Sequence, residues 1–221
     1  MYYLDLINLD FLIFVESVSK YTKGDIDEGK TPLDVYMLCA IIRESFCISY
    51  TIRKDNNFYL YNETDHLFIK IEGKSLRYLG SDERSQALLL LRAFMKIENN
   101  ENYNDREWIK STPGIYVKKL PSSDLILEKI NDNRIFITDI SKEKDKQNVK
   151  YGENFDENNS QCYIFSFSQE SISFLKFLQK VNEECSLKSI DLSKIRGIEN
   201  KILYINFLND QRNYRKTDSE I

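Results

Sequence analysis

Short apolar segments alternate with longer segments of helical periodicity along most of this chain, and this alternation constrains the fold more than any other feature. Residues 10–17, DFLIFVES, are typical of a buried strand, because a short apolar run is bounded by polar residues. Thr31 and Pro32 then begin a segment with apolar side chains at helical spacing through residue 48. The alternation predicts an α/β fold with a largely parallel sheet that is covered by helices on both faces.

The same two patterns continue to residue 210. Further strands are predicted at 57–61, 67–71, 134–140, 162–167 and 187–192, and residues 74–80 could extend the sheet. Further helices are predicted at 86–97, with Ser81 as the capping residue, and at 122–131, 170–182 and 198–210. Residues 141–160 are strongly polar, which predicts a long surface loop.

Composition excludes several classes of protein. The chain has 221 residues, enough to bury a sizeable core, and its net charge is −4, which argues against a surface coated in positive charge. A single histidine, His66, excludes a histidine-rich metal site, and no metal is expected. The four cysteines are scattered, which indicates buried thiols in a reducing cytoplasm. No run of 18 apolar residues is present, so no membrane segment is expected.

Charged residues flank the strand predicted at 57–61. Arg53 and Asp55 lie between the first long helix and that strand, and Arg84 lies in the first turn of the next helix. An arginine fork binds phosphate, and a neighbouring carboxylate can orient it or accept a base N–H. Ordinary surface ion pairs explain the same spacing and are the simpler interpretation from the charges alone.

A second polar cluster surrounds a Pro-Gly turn. Lys110, Ser111, Thr112 and Lys118 offer hydroxyl groups and ammonium groups that could contact RNA phosphates. An ordinary turn with solvated lysines explains the same pattern and is the simpler interpretation from spacing alone. The common nucleotide-binding and hydrolase signatures GxxxxGK[ST], GxGxxG and GxSxG are absent from the sequence.

Three strings in order carry a family resemblance. They are IRKD at residues 52–55, GKSL at 73–76 followed by DER at 82–84, and STPGIYV at 111–117. Over roughly residues 10–130 the chain resembles the archaeal tRNA pseudouridine-54 N1-methyltransferases and the related ribosomal RNA pseudouridine methyltransferases.

The resemblance implies a SPOUT fold, in which a single domain over residues 1–221 ends in a trefoil knot and cofactor half at 161–210. It implies a homodimer, tRNA or rRNA as substrate, and methyl transfer from S-adenosylmethionine to N1 of pseudouridine. Asp55 would hold the base or accept its proton. Arg53 and Arg84 would position RNA phosphate or the base carbonyl.

The resemblance also places cofactor contacts in the second half of the chain, at Ile137, Thr138, Ser166, Ser168, Leu192 and Ser193. Here the sequence departs from the family pattern, because residues 166–171 contain no glycine and include Phe167. An active methyltransferase with a reshaped pocket, and an inactive SPOUT-like RNA-binding protein or partner subunit, both fit the sequence. A dimerisation scaffold without an RNA role is a third alternative.

Overall fold

A computed structural model describes residues 8–98, 107–130, 134–139 and 160–218. Except for Ser160, the predicted surface loop at 141–160 lies outside the described residues. The helices are α1 (Lys23–Asp27), α2 (Leu33–Phe46), α3 (Glu83–Glu98), α4 (Ile172–Glu184) and α5 (Ile198–Asp218). The strands are β1 (Leu9–Val15), β2 (Cys47–Ile48), β3 (Thr51–Ile52), β4 (Asn57–Asn62), β5 (Leu67–Glu72), β6 (Ile109–Thr112), β7 (Ile115–Lys119), β8 (Ile135–Thr138), β9 (Gln161–Ser166) and β10 (Ser186–Ser189).

Eight strands form one mixed sheet in the order β10-β8-β9-β1-β4-β5-β7-β6. The five strands from β10 to β4 are parallel, which confirms a mostly parallel sheet. The last three pairings are antiparallel. In two of them, β4 with β5 and β6 with β7, a short turn joins the strands and leaves no room for a crossover helix. Strands β2 and β3 form a separate small hairpin.

Helices cover both faces of the sheet, as the alternation predicts. Phe11 and Ile13 of β1 pack into a core with side chains of α2, α3 and α5. Leu12 and Phe14 point the other way and pack with side chains of α4. Because successive strand side chains alternate between faces, a strand buried on both sides must be apolar throughout, which explains the run in β1.

Local details differ from the sequence expectations at several points. Asp82, rather than Ser81, caps α3, because its carboxylate accepts the Ser85 N–H at 2.8 Å. Residues 74–80 form a turn followed by an irregular loop instead of extending the sheet. The helix predicted at 122–131 consists of two short 3₁₀ turns, Ser123–Leu125 and Leu127–Lys129.

The parallel strands give the sheet two distinct edges. The carboxyl edge is where β1, β4, β8, β9 and β10 end, and the amino edge is where they begin. A strand of six residues spans about 20 Å, so groups at the two edges are separated by roughly that distance. Within the described residues, no helix is long and apolar enough to cross a membrane, and no cluster of metal-ligating side chains occurs.

Two buried thiols should resist modification. Burial raises the pKa of Cys39 and of Cys162 to about 12, so their thiolate population at neutral pH is very small. We expect a thiol-specific reagent to label Cys47 before either of them in the native protein. Peptide mapping after timed labelling checks this order. Early labelling of Cys162 would contradict the packing around β9.

Candidate active site

The three sequence strings that carry the family resemblance meet at the amino edge. Gly73 donates its N–H to the Asn56 carbonyl at 3.0 Å, which joins the turn at 53–56 to the loop after β5. That loop also contacts the turn between β6 and β7, where the Arg77 N–H reaches the Pro113 carbonyl at 3.3 Å. We call the contact between residues 53–56, 73–77 and 113–114 the motif junction.

Two glycines allow the backbone segments of the motif junction to approach closely. A Cβ on Gly73 would lie 2.4 Å from the Asn56 carbonyl oxygen and 2.5 Å from that of Arg53. Gly114 has a φ of +83°, and its Cβ would lie 2.4 Å from the Leu76 Cα. Both positions therefore require glycine, one for close contact and the other for contact and conformation.

The backbone around Asp55 is held firmly, while its side chain is exposed. The Asn56 amide next to it is buried and donates to the Ser45 carbonyl at 2.7 Å and to Asn206 Oδ1 at 3.0 Å. The Asp55 carboxylate has no hydrogen-bond or ion-pair partner among the residues that the structure describes. The Asp55 carboxylate is therefore a solvated acceptor next to a held stretch of backbone.

Arg53 is engaged with the last helix. Its two terminal nitrogens contact the two carboxylate oxygens of Asp210 at 2.6 and 2.7 Å, which is a bidentate pair. A phosphate at Arg53 would have to displace or share Asp210, so the guanidinium does not offer an open fork.

Arg84 has a different partner. Its guanidinium contacts Asp27 Oδ1 of α1 at 2.7 and 3.0 Å, and its side chain is 56% exposed. No contact that the structure gives for Arg84 joins it to Arg53 or to Asp55. A joint role of Arg84 with Arg53 and Asp55 in positioning RNA therefore stays a prediction.

The polar cluster at the Pro-Gly turn is partly accessible. Lys110 is exposed, while Ser111 and Thr112 are half-buried. Lys118 is only 3% exposed, so its side chain is not a solvated cation on the surface. The burial of Lys118 argues against its predicted contact with RNA phosphate, because a buried ammonium group is not open to a phosphate in solution.

The predicted cofactor residues gather at the carboxyl edge of three neighbouring strands. Ile137 and Thr138 end β8, Ser166 ends β9, and the Ile190 N–H after β10 reaches the Thr138 carbonyl at 2.9 Å. Ligands of open α/β sheets bind at this kind of edge. The structure therefore brings together the segments that the resemblance assigns to the cofactor.

The serines among the cofactor candidates form hydrogen bonds within their own loops, and Leu192 packs in the core. Ser166 donates its hydroxyl to the Ser168 carbonyl at 2.7 Å. Leu192 is 3% exposed and packs into the core. Ser193 donates its hydroxyl to Asp191 at 2.6 Å, and this bond lowers the pKa of that carboxyl.

A buried ion pair at the same edge was not found from the sequence. Lys201 of α5 contacts Asp139, and their side chains are 14% and 6% exposed. Asp139 also accepts the Leu192 N–H at 3.0 Å, so it holds the loop after β10. The position of an acid directly after a buried strand is the signal that could have identified Asp139.

The carboxyl edge fits S-adenosylmethionine in chemistry but is tightly closed. The Thr138 hydroxyl is buried without a partner among the described residues, and Ile137 and Leu192 supply apolar surface suited to a base. The cavity beside Thr138 and Lys201 measures about 20 Å³, whereas small-molecule sites usually hold roughly 300–1,000 Å³. Binding of a nucleoside here requires the turn that begins at Ser166 to move.

Comparison with known proteins defines the family. The family described as "Putative SAM-dependent RNA methyltransferase" matches residues 17–164, which is more than half of the chain, and the chain belongs to this family.

Individual relatives are named tRNA (pseudouridine(54)-N(1))-methyltransferase. One from Methanocaldococcus jannaschii is 35% identical over 101 residues, covering 44% of this chain and 49% of the relative. One from Methanococcus maripaludis strain C7 is 35% identical over 124 residues, covering 52% and 59%. One from Methanococcus maripaludis strain C5 is 29% identical over 183 residues, covering 79% and 84%. The chain thus spans about half the length of the first relative and most of the third.

Proposed function

We propose that this protein is an S-adenosylmethionine-dependent methyltransferase that acts on N1 of pseudouridine in tRNA. The observation that carries the proposal is the motif junction, which holds the backbone at residues 53–56 at the amino edge, where the Asp55 carboxylate is exposed. The names of the relatives supply the substrate class. A tRNA-modifying role agrees with the cytoplasmic location that the sequence predicts.

The chemistry requires loss of the N1 proton as the methyl group arrives. S-adenosylmethionine, when bound, supplies that methyl group from its sulfonium centre. Asp55 accepts the N1 proton, or orients the ring by accepting its N–H, while the new N–C bond forms. Ile137, Thr138 and Leu192 would hold the adenosine part by apolar contact and through the Thr138 hydroxyl.

One chain cannot bring these groups together, which supports a homodimer. Asp55 precedes β4 at the amino edge, whereas Thr138 and Ser166 lie at the carboxyl edge. The two edges are about 20 Å apart, far beyond the reach of a proton acceptor. A second copy would supply Asp55 to the cofactor candidates of the first. We call the part of the carboxyl edge that holds these candidates the cofactor edge.

An exposed apolar surface offers a place for that second copy. Tyr36 of α2 is 49% exposed, and Leu203 and Phe207 of α5 are 49% and 51% exposed. The two helices pack side by side, so these side chains lie on neighbouring elements, and large exposed apolar patches mark interaction surfaces.

The strand order supports the SPOUT fold with its C-terminal knot. β10 lies at the edge of the sheet beyond β8, and α5 then returns to pack on α2. A chain that crosses its own earlier strands in this way is a candidate for threading through a loop, which is rare among folds. We place the knot within residues 161–210 of a single domain.

Two features of the carboxyl edge fit a second candidate function. The turn at 166–171 contains no glycine, and the adjoining cavity is far smaller than a nucleoside site. An RNA-binding protein or partner subunit that no longer methylates would have these features while it keeps the motif junction.

Calorimetry and a methylation assay separate the two candidates. We expect micromolar binding of S-adenosylmethionine and transfer of one methyl group to a tRNA that carries pseudouridine at position 54, detected by mass spectrometry of the nucleosides. The same tRNA with uridine at that position is the control and should gain no methyl group. No binding at millimolar ligand, with the protein shown to be folded, would support the non-catalytic candidate.

Substitution of Arg84 tests its predicted RNA contact. We expect Arg84→Ala to weaken tRNA binding and to reduce the dependence of log Kd on log salt by about 0.7 to 0.9, the value for one phosphate contact. Filter-binding titrations over a range of salt concentrations measure both. Lys176→Ala, which removes an exposed cation of α4 on the other face of the sheet, is the control. An unchanged salt slope for Arg84→Ala would remove this residue from the RNA surface.

A further inference from the structure

A large cleft lies at the carboxyl edge, away from the cofactor candidates. It measures about 590 Å³ and lies between the loop after β1, the turn between β4 and β5, and the C-terminal half of α3. This volume is within the range of small-molecule sites. No residue that the family resemblance assigns to RNA or cofactor lines it.

The floor of the cleft is apolar and partly aromatic. Leu67, Leu91 and Ile97 line it, together with the rings of Tyr21 and Phe94. The two rings meet edge to face, with centroids 6.4 Å apart, and the Tyr21 hydroxyl is bound to the Ala87 carbonyl at 2.9 Å. The floor is therefore rigid and suits a flat, apolar ring.

The rim of the cleft carries three lysines, Lys20, Lys23 and Lys119, and two aspartates, Asp25 and Asp65, so its formal charge is +1. Asp25 lines it, but its carboxylate is turned to its own capping box, where it accepts the Thr22 N–H and hydroxyl at 2.7 Å. These bonds lower the pKa of Asp25. Asp65 likewise accepts the Asn62 amide at 2.8 Å.

Two lysines of the rim, Lys20 and Lys23, are available to an anion. Lys20 is exposed and has no ion-pair partner among the residues that the structure describes. Lys23 is 3.8 Å from Asp27 and largely exposed. Exposed ion pairs of this length contribute little, so both ammonium groups can contact a phosphate.

We propose that this cleft binds one unstacked nucleotide of the RNA substrate, with its base on the apolar floor and its phosphate at Lys20 and Lys23. Single-stranded RNA is commonly bound in this way, with splayed bases against aromatic side chains and cations along the backbone. The proposal rests on the proposed function for RNA as the ligand.

The position of the cleft indicates which nucleotide it takes. β1 and β4 end at the cleft, and β9, which ends at the cofactor candidates, lies directly beside β1. RNA at the cofactor edge of a chain therefore passes the cleft of that same chain. The cleft binds a nucleotide that flanks the target, rather than the target itself.

Binding of a fluorescein-labelled oligouridylate, followed by anisotropy, tests the proposal. We expect Lys20→Glu to raise Kd by about fivefold or more, because it reverses a charge at a phosphate contact. Lys176→Glu is the matched control, since it makes the same change at an exposed position of α4 on the other face of the sheet. It should leave Kd within about twofold of the unchanged protein. Equal effects of the two variants, or no effect of either, would overturn the proposal.

A second variant tests the floor. Leu91→Trp fills the cleft, and we expect it to weaken oligouridylate binding while the thermal transition is retained. Photo-crosslinking of 4-thiouridine RNA should map to residues 20–23 or 91–95. Crosslinks confined to other segments would also overturn the proposal. Methyl transfer by the unaltered protein is measured in parallel. A cleft that binds no RNA is thereby distinguished from a protein that does not methylate RNA.

Discussion

Asp55→Asn should lower the rate of methyl transfer to pseudouridine-containing tRNA by about a hundredfold or more, the usual contribution of a positioned proton acceptor. The amide keeps the shape of the side chain but cannot take up the N1 proton. Because Asp55 is exposed and has no partner in the described part of the chain, the fold should be unaffected. Single-turnover rates with saturating tRNA measure the chemical step.

The control for this variant is an exposed acid outside the candidate site. Glu183→Gln on α4 should leave the rate within about twofold, since surface changes of this kind have small effects. Affinity for tRNA and for S-adenosylmethionine should be nearly unchanged in Asp55→Asn. A rate equal to that of the unaltered protein would show that Asp55 takes no part in the reaction, even if the motif junction is intact.

Substitution of the junction glycines should have the largest effect on stability. Gly73→Ala and Gly114→Ala each place a Cβ about 2.4 Å from backbone atoms that cannot rotate away. We expect each to destabilise the fold by about 3 kcal/mol and to lower Tm by about 6–12 °C. Scanning calorimetry of the purified variants measures the shift.

Gly29→Ala separates crowding from backbone conformation. Gly29 also has a positive φ, +68°, but its Cβ would meet nothing within 4 Å. Only the conformational cost of about 1 kcal/mol should remain there. If Gly114→Ala were no more destabilising than Gly29→Ala, the close contact between residues 113–114 and Leu76 would not exist in solution.

The strands were predictable because burial on two faces demands continuous apolar runs. The segment at 10–17 and the pair at 57–61 and 67–71 correspond to β1, β4 and β5. Residues 74–80 misled the prediction, since their apolar side chains include Leu76, which is buried in a loop rather than a strand. A pattern of buried apolar side chains alone does not distinguish a strand from a loop.

The geometry of the site could be predicted only in part. The resemblance named the three strings, but their contact depends on antiparallel pairing of β4, β5 and β7, which places their turns at one edge. The Arg53–Asp210 and Lys201–Asp139 pairs join residues 157 and 62 positions apart, and periodicity carries no information about such pairings. The distance between Asp55 and the cofactor edge likewise follows from the strand order, which periodicity does not determine.

Mixing two inactive variants tests the central claim, that two copies of the chain build one site. Asp55→Asn lacks the acceptor, and Ser168→Arg blocks the cofactor edge at a half-buried position. After denaturation and joint refolding in equal amounts, random pairing should restore about a quarter of the activity of the unaltered protein, because half of the dimers then hold one intact site of two. Activity no higher than that of either variant alone would contradict the account.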